Sequence, residues 1–424
     1  MTPRTRSSLP LRHKNLTTAA HTTLNQNTVA QPTLPQPQRS PTKLARAKAN
    51  CWPDTEQQLV LEAGLLTDVD ESWQSWLAFE QRVDMQTLAY STTNLTPLAY
   101  RRLQGFSSEA LQTAKSIYRH TWTRNQRDMH VLRKVIAELG HIGISVTLLK
   151  GVAMIDTYYR DPGLRVIGDF DVLVQPNHVK AVIALLQNLG WQALAAFDDQ
   201  MLITRHAISI ANADGIQIDL HWRVFGDSPR DRWLAQFTPQ TMPAQTLSAQ
   251  VLCPEDQLLH TLVHGLRYSP VPLVRWIPDA AWIIRQTPTF RWDYLIHQTK
   301  TCRVEAVIKG ALDYLQNTGF IDLSPNVIES LNHLTPNPVD QAWFAFLMQE
   351  REGLLYPYRY TWHACTRNAA RNHESTTAIK TLIELPSYIK RSFGIKSNLA
   401  LIGFLITQSI QQLTKRLKLA KPRA

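Results

Sequence analysis

Two aspartates one residue apart constrain this chain more than any other feature of its sequence. Asp169 and Asp171 lie in the segment 165–174, whose sequence is RVIGDFDVLV. If this segment is a β-strand, alternation places both carboxylates on one face and the neighbouring apolar residues on the other. Proteins usually hold Mg²⁺ with one or two carboxylates together with substrate phosphates. The spacing therefore predicts a metal site and indicates phosphoryl or nucleotidyl transfer, although Asp-x-Asp also occurs in solvated loops.

The flanking segments predict a compact α/β unit with a third acid. Residues 144–149 are aliphatic and β-branched, which predicts a buried strand. Residues 207–211 and 216–222 flank the turn sequence Asn-Ala-Asp-Gly and predict a hairpin. In its second arm polar and apolar residues alternate, so Asp219 and His221 lie on the polar face. The sequence thus supplies three carboxylates, enough to hold two metal ions and to help activate a nucleophile.

Two basic positions near the acids are candidate phosphate contacts. Lys150 and Gly151 end the first predicted strand and begin a helix, which offers an ammonium group and backbone N–H groups to a phosphate. Arg165, four residues before Asp169, is the second candidate. The alternatives are an ordinary strand-to-helix turn at Lys150 and a salt bridge from Arg165 to Asp169 or Asp171 in a protein without metal.

The positive charge of the chain is confined to its ends. The formal net charge is +11, yet residues 1–50 and 385–424 each carry eight Lys or Arg and no acid. The middle of the chain has 29 basic residues against 34 acidic ones, a net −5. Because phosphate-backbone binding needs clustered positive charge, we expect no nucleic-acid groove across the folded body. Peripheral contact with membrane or nucleic acid is expected only through the basic tails, and the alternative for the last helix is docking on the protein's own core.

Cysteine spacing and hydropathy predict a cytoplasmic protein. The four cysteines are scattered without a CxxC pair, which is typical of reduced thiols and excludes zinc-finger and disulfide-framework folds. No apolar run is long enough to cross a bilayer, and the first residues lack the apolar core of a secretory signal. Their Arg, Ser and Thr content also resembles a transit peptide, but a disordered tail is the simpler interpretation.

Composition and periodicity predict five regions along the chain. Residues 1–50 form a disordered basic tail, because they contain too few large apolar residues to build a core. Residues 51–140 have helical periodicity and form an N-terminal helical segment. Residues 141–225 form the α/β core, 226–385 a helical C-terminal domain, and 386–424 a basic amphipathic segment.

Taken together, the motifs resemble a known pattern. They are LLKG at 148–151, YRDPGLR at 159–165, GDFDVLV at 168–174, LGW at 189–191 and IDLHWR at 218–223. In this order they resemble the uncharacterised nucleotidyltransferase family within the polymerase-β-like nucleotidyltransferase superfamily, over about residues 140–225. Two downstream segments are similar to the His and Arg-Trp-x-x-Asp elements of that family, LLHTLVH at 258–264 and LVRWIPD at 273–279.

The resemblance implies an α+β fold, with a small mixed β-sheet nucleotidyltransferase core between helical N- and C-terminal flanks. It also implies a nucleoside triphosphate (NTP) substrate and two Mg²⁺ ions. Carried over by position, Asp169 and Asp171 bind metal and Asp219 is the third carboxylate. Lys150 and Gly151 occupy the place of a Gly-Ser pair that binds the triphosphate in better-known members of the superfamily, so the lysine departs from that pattern.

Three histidines near these motifs are candidate accessory residues. His221 is expected to orient Asp219 or to contact substrate, unless it is a structural, hydrogen-bonded residue. His260 and His264 are four residues apart on one predicted helix, which is the spacing of a zinc-binding pair. No Glu adjoins His260 and no third ligand is evident, which argues against a zinc protease. We expect this pair to pack against the core, with one of the two lining the acceptor pocket, and His264 is the accessory candidate.

The sequence therefore predicts a Mg²⁺-dependent nucleotidyltransferase that moves a nucleoside monophosphate (NMP) from an NTP to an unidentified acceptor, a small molecule or a protein. The alternative is a non-catalytic nucleotide-binding or partner-binding module on the same fold. The complete set of three acids favours the enzyme. No motif indicates the acceptor or the nucleobase.

Overall fold

Short alternating segments build a seven-stranded mixed sheet. The structure, a computed structural model, describes residues 51–226, 234, 237–267, 274–348, 356–372, 378–393, 395 and 397–407. In chain order the strands are β1 Thr147–Leu148, β2 Phe170–Leu173, β3 Gln192–Ala193, β4 Ala207–Ala211, β5 Gln217–His221, β6 Thr241–Pro243 and β7 Gln250–Leu252. Their order across the sheet is β3-β4-β5-β2-β1-β7-β6.

The two longest strands form the hairpin that the sequence predicts. β4 and β5 pair antiparallel around the Asn-Ala-Asp-Gly turn. Gly215 has a φ of +77° in this turn, a backbone conformation that is strained for a residue with a side chain. β5 pairs parallel with β2, and β2 pairs antiparallel with β1. The central strands therefore bring the segments around residues 148, 171 and 219 side by side.

Helices precede, interrupt and follow the sheet. They are α1 Thr55–Leu65, α2 Val69–Glu80, α3 Tyr90–Thr93, α4 Thr96–Arg102, α5 Glu109–His141, α6 Lys150–Met154, α7 Val179–Asn188, α8 Met201–Thr204, α9 Pro254–Gly265, α10 Trp276–Arg285, α11 Trp292–Thr301, α12 Glu305–Asn317, α13 Pro325–Asn332, α14 Pro338–Leu347, α15 Tyr356–Asn372 and α16 Ala378–Phe393. One π-helical turn, Ile155–Tyr159, extends α6. Pro at the first turn and acids near it begin α9, as its sequence predicts.

Two large hydrophobic cores hold most of these elements, and a small third cluster joins α14 to α15. One lies against the sheet and combines the apolar faces of β2, β4 and β5 with the second half of α5 and with α7. The other joins α1 and α4 to α9, α10 and α12. The helices that precede the sheet in the sequence therefore share a core with the helices that follow it, although the sequence patterns assign the two sets to separate regions.

Three features of the sheet differ from the sequence predictions. β6 and β7 lie after residue 225, where the sequence indicates only helices, and β7 pairs with β1, so the sheet extends beyond the predicted 141–225 core. These strands have three residues each, too few to show an alternating pattern. β1 covers two residues of the predicted strand 144–149, because the backbone turns into α6 at Lys150. β2 begins at Phe170, so Asp169 precedes the strand rather than lying in it.

The described C-terminal helices expose apolar side chains. On α16, Ile379, Leu382 and Ile383 are all more than half exposed. Within the described residues, no helix combines the length and the low polarity needed to cross a membrane. The predicted tail 1–50 and the end of the 386–424 segment lie outside the described residues, and their contact with lipid or nucleic acid stays a prediction.

Shortening one buried side chain of β5 tests how tightly this strand packs in the sheet core. Leu220 is fully buried between β2 and β4, and Leu220→Ala should lower the free energy of unfolding by about 2–5 kcal/mol because it leaves a cavity. The measurement is urea denaturation followed by circular dichroism. The control is Leu194→Ala at a position that is 62% exposed, where a change within about 0.5 kcal/mol is expected. Equal losses in the two variants would contradict this packing.

Candidate functional site

The parallel pairing of β2 with β5 places two acids side by side. In this register Asp171 lies opposite Asp219, and Leu173 lies opposite His221. Because alternation is the same in both strands, the apolar residues at 170, 172, 218 and 220 lie in the sheet core while the acids face away from it. The predicted association of Asp171 with Asp219 thus follows directly from strand register.

Asp171 is buried and contacts two basic side chains through one oxygen. Lys150 Nζ lies 2.5 Å from Asp171 Oδ1, and His221 Nε2 lies 3.0 Å from the same atom. Burial raises the pKa of Asp171, but Lys150 and His221 outweigh it and hold the pKa well below its usual value. Asp171 is therefore ionised at neutral pH. His221 contacts Asp171 rather than Asp219, which the sequence suggested as its partner.

Local backbone geometry aims Lys150 at the acids. The residue has a φ of +49°, which is uncommon for a residue with a side chain, at the point where β1 gives way to α6. The N–H of the preceding residue, Leu149, donates to the carbonyl of Asp171 at 2.9 Å. These contacts place the ammonium group beside the carboxylate of β2.

Asp219 and Asp169 complete the acidic group in different ways. Asp219 Oδ1 accepts hydrogen bonds from Ser209 Oγ at 2.6 Å and from Gln217 Nε2 at 3.1 Å. Asp169 lies just before β2, where burial, then Asp171, then Asp219 raise its pKa to about 6. Three acids crowded together in this way repel one another, and a cation between them would relieve the repulsion.

The atoms that converge most closely belong to Asp171, Asp219 and His221. One ligand atom from each lies within 4.8 Å of the others. Asp169 is outside this set, whereas the sequence placed it among the metal ligands and placed His221 only beside them. The two aspartates are the part of the predicted metal site that the described side chains bring together.

Arg165 forms a buried ion pair with Asp279, at the start of α10. Its Nε and Nη2 contact the two Asp279 carboxylate oxygens at 2.9–3.2 Å, and Tyr159 Oη donates to Asp279 Oδ1 at 2.9 Å. Burial disfavours the charge of Arg165, but Asp279 outweighs it and raises the pKa. Gly151 permits this arrangement, because a Cβ there would lie 3.3 Å from Arg165 Nη1. The partner of Arg165 is therefore Asp279, and neither Asp169 nor Asp171.

A cavity of about 260 Å³ connects these groups, and we call it the carboxylate cavity. Its walls include all the predicted site residues except His221, together with residues of α9 and α10. On α9, burial lowers the pKa of His260 to about 3 and the pKa of His264 well below its usual value, so both rings are neutral. His260 and His264 both lie on the cavity wall, while contact of either one with an acceptor stays a prediction.

Several cavity residues were not identified from the sequence. Arg275 lies beside the acids, and its Nη1 donates to the Val166 carbonyl at 2.8 Å. Burial, then Arg165, lower the pKa of Arg275 to about 10. Arg267 and Thr261 also line the cavity. The segment 273–279 was the available signal for Arg275, since it carries the Arg-Trp-x-x-Asp pattern, but nothing local in the sequence shows which core residues it faces.

Comparison with known proteins agrees with the geometry. The profile of a family described as uncharacterised nucleotidyltransferase matches residues 85–318, more than half of the chain. The chain belongs to this nucleotidyltransferase family. The match includes every predicted site residue and extends to α9 and α10 on the far wall of the cavity.

Other comparisons add little. No curated protein matches the chain. One similar solved structure is that of an antigenic nucleotidyltransferase-like protein from Paracoccidioides brasiliensis, with 16% sequence identity and a TM-score of 0.29. The match covers 49% of this chain and 93% of that one. A likeness of this size supports no conclusion about activity.

Removing one partner of the buried ion pair tests the Arg165 wall of the cavity. Asp279→Asn should lower the free energy of unfolding by about 3–5 kcal/mol, because it leaves the Arg165 guanidinium buried without a counter-charge. Urea denaturation measures the loss. Asp199→Asn is the matched control, since it breaks an exposed pair with Lys180 whose expected contribution is at most about 1 kcal/mol. A loss no larger than that of the control would contradict the assigned pairing.

Proposed function

We propose that the protein is a Mg²⁺-dependent nucleotidyltransferase that moves an NMP from an NTP to a small-molecule or protein acceptor. The observation that carries the proposal is the β2–β5 register, which sets Asp171 beside Asp219 in a cavity that also contains cationic side chains. Carboxylates paired across two neighbouring strands, beside cationic side chains that could hold phosphates, are the arrangement that metal-assisted phosphoryl chemistry needs.

The donor set fits a hard divalent cation. Asp169, Asp171 and Asp219 offer carboxylate oxygens. Burial raises the pKa of Asp169 most, and repulsion from Asp171 and Asp219, which a cation would relieve, raises it further. In the described part of the chain, the contacts of Asp171 with Lys150 and His221 both fall on Oδ1. When bound there, Mg²⁺ would neutralise phosphate charge and polarise the bond to the leaving group.

The basic residues of the cavity are suited to binding the triphosphate. Lys150, Arg267 and Arg275 line the same cavity as the acids. Lys150 is 21% exposed, so its ammonium group is accessible to a phosphate while it contacts Asp171. Arg165 uses Nε and Nη2 on Asp279 and Nη1 on Val166, so its main effect is to hold the wall and contribute positive charge.

The transfer step follows from this arrangement. An acceptor hydroxyl oxygen attacks the α-phosphorus, and the bond between that phosphorus and the bridging oxygen of the β-phosphate breaks, which releases pyrophosphate. The hydroxyl proton passes to the carboxylate of Asp219. Ser209 and Gln217 orient this carboxylate by donating to its Oδ1, which leaves its other oxygen for the proton.

The acceptor is expected to approach along α9. His260 is 1% exposed, and both of its ring nitrogens lack a partner among the described residues. Because a buried polar atom without a hydrogen bond costs free energy, a bound group that pairs with it gains affinity. His264 and Thr261 lie on the same wall and would offer the acceptor further polar contacts.

Acid-to-amide variants test the proposed chemistry. Asp169→Asn and Asp219→Asn should each lower transfer by at least about a hundredfold, since each removes charge at the reacting phosphate. Asparagine at 219 retains an oxygen that accepts from Ser209 and Gln217, so folding should persist. The measurement is incorporation of label from each α-labelled NTP into lysate components, with Mg²⁺ and with a chelator.

The matched control is Asp214→Asn, an exposed acid in the hairpin turn, which should retain full transfer. Transfer that persists in a folded Asp219→Asn protein, or that is indifferent to the chelator, would rule out the mechanism. The labelled product would identify the acceptor.

A non-catalytic nucleotide-binding module is the second candidate function. The observation that favours it is the contact between Lys150 and Asp171, because an ammonium group neutralises a carboxylate that a metal would otherwise use. Calorimetry with the four common NTPs and Mg²⁺ distinguishes the candidates. Binding without label transfer to any acceptor in the lysate would favour the module.

A further inference from the structure

A second cavity lies on the helical side of the protein, and we call it the arginine cavity. Its volume is about 720 Å³, and α1, α4, α5 and α10 contribute to its walls together with the segment 159–164. Cavities of this size hold small organic ligands. The metal-site residues of the carboxylate cavity are not among its lining residues.

The charge of this cavity is strongly positive in an otherwise acidic body. Four arginines line it, with a single acid, Asp161. The arginines are Arg101, Arg102, Arg160 and Arg285. Among the described residues, Asp161 lies 3.9 Å from Arg101, and no carboxylate lies within ion-pair distance of the other three. Like charges in one cavity repel, so an anion between them would be attracted.

Structural roles account for part of this cluster. Arg102 donates to the carbonyls of Leu66 and Thr67, and Arg285 Nη2 donates to the Leu65 carbonyl at 2.6 Å, which satisfies the C-terminal end of α1. These contacts use one or two of the five N–H donors that each guanidinium carries. The other donors remain for a ligand.

Arg160 has the weakest structural role of the four. It is exposed, and the one hydrogen bond described for its side chain is a 3.3 Å contact from Nε to the Thr157 carbonyl. It has a φ of +53° immediately after the π-helical turn. Its own N–H donates to the Ile155 carbonyl at 2.9 Å, so this left-handed backbone closes the turn as a helix C-cap. The Arg160 side chain has no ion pair among the described residues.

Aromatic side chains form the other part of the wall. Tyr118, Trp122, Tyr159 and Trp282 line the cavity, and the rings of Tyr159 and Trp282 pack 5.2 Å apart. Aromatic rings offer apolar surface to a ligand body, while guanidinium groups match the geometry of phosphate oxygens. A ligand with an apolar body and an anionic group would therefore match both the aromatic and the arginine parts of the wall.

We propose that the arginine cavity binds a phosphorylated small molecule, with its phosphate against Arg102, Arg160 and Arg285 and its ring or apolar body against Tyr159 and Trp282. The ligand would be separate from the NTP of the carboxylate cavity. Tyr159 lies between the two cavities, since its ring lines the arginine cavity and its hydroxyl donates to Asp279 on the wall of the other.

The test is calorimetry of the full chain in the presence of a metal chelator, with inorganic phosphate, pyrophosphate, AMP and adenosine as probes. We expect AMP to bind more tightly than phosphate, adenosine not to bind at the same concentration, and affinity to fall as salt is raised. Arg160→Gln should weaken AMP binding by about tenfold or more, because one charged hydrogen bond is lost.

An opposite effect is expected at the one acid of the cavity. Asp161→Asn should strengthen AMP binding several-fold, since it removes the negative charge but keeps an oxygen that accepts from the Gly163 N–H and from Tyr118. A purely structural role of the cluster would not make these two variants change affinity in opposite directions. Arg133→Gln, an exposed position on α5 outside the cavity, is the control and should leave affinity unchanged.

Three results would overturn the proposal. One is no binding of phosphate, pyrophosphate or AMP at millimolar concentration. Another is AMP binding that is equal in the wild-type, Arg160→Gln and Asp161→Asn proteins. The third is AMP binding that is lost in Lys150→Met and kept in Arg160→Gln, which would assign the ligand to the carboxylate cavity. Because no transfer is measured, these results are independent of the proposed enzymatic activity.

Discussion

The parallel pairing of β2 with β5 is the constraint on which the rest of the site depends. It sets Asp171 opposite Asp219 in the middle of the sheet, where both backbones are fixed by neighbours on either side. A slip of one residue would turn the acids into the apolar core and the core residues into the cavity. The buried apolar residues of the two strands therefore fix the position of the carboxylates as firmly as they fix the sheet.

The cost of placing these acids together determines what surrounds them. Asp171 is buried, and a buried carboxylate is stable only when it is paired or hydrogen-bonded, which Lys150 and His221 provide. Asp169 has no such partner among the described residues, and burial, then Asp171 and Asp219, raise its pKa. A second ion pair, Arg165 with Asp279, then fixes the helical wall against the sheet side of the cavity. Asp171 is thus balanced in charge by its neighbours, whereas Asp169 has no ion pair among the described residues.

Local sequence patterns predicted the parts of the fold that depend on local physics. The hairpin β4–β5 follows from alternation around Asn-Ala-Asp-Gly. The helix α7 lies between Pro176 and Gly190, residue types that are typical of helix starts and helix ends. The strands β6 and β7 are too short to carry a pattern. The pairing of Arg165 with Asp279 joins residues 114 positions apart, and the contact of His221 with Asp171 spans 50. Such contacts depend on how the elements pack, and no spacing in one sequence encodes them.

The site residues show the same division. The Asp-x-Asp spacing singled out Asp171 and strand alternation singled out Asp219, and the structure brings these two side chains close together. Their roles stay predictions. The boundary of β2 was wrong by one residue, and that residue was Asp169, whose position just before the strand separates it from the closest group of ligand atoms. Because the boundary depends on where pairing with β5 begins, it is a tertiary property. The two acids of the motif are therefore not equivalent. Asp171 lies within the strand and contacts two basic side chains, whereas Asp169 lies before the strand and has no hydrogen bond or ion pair among the described residues.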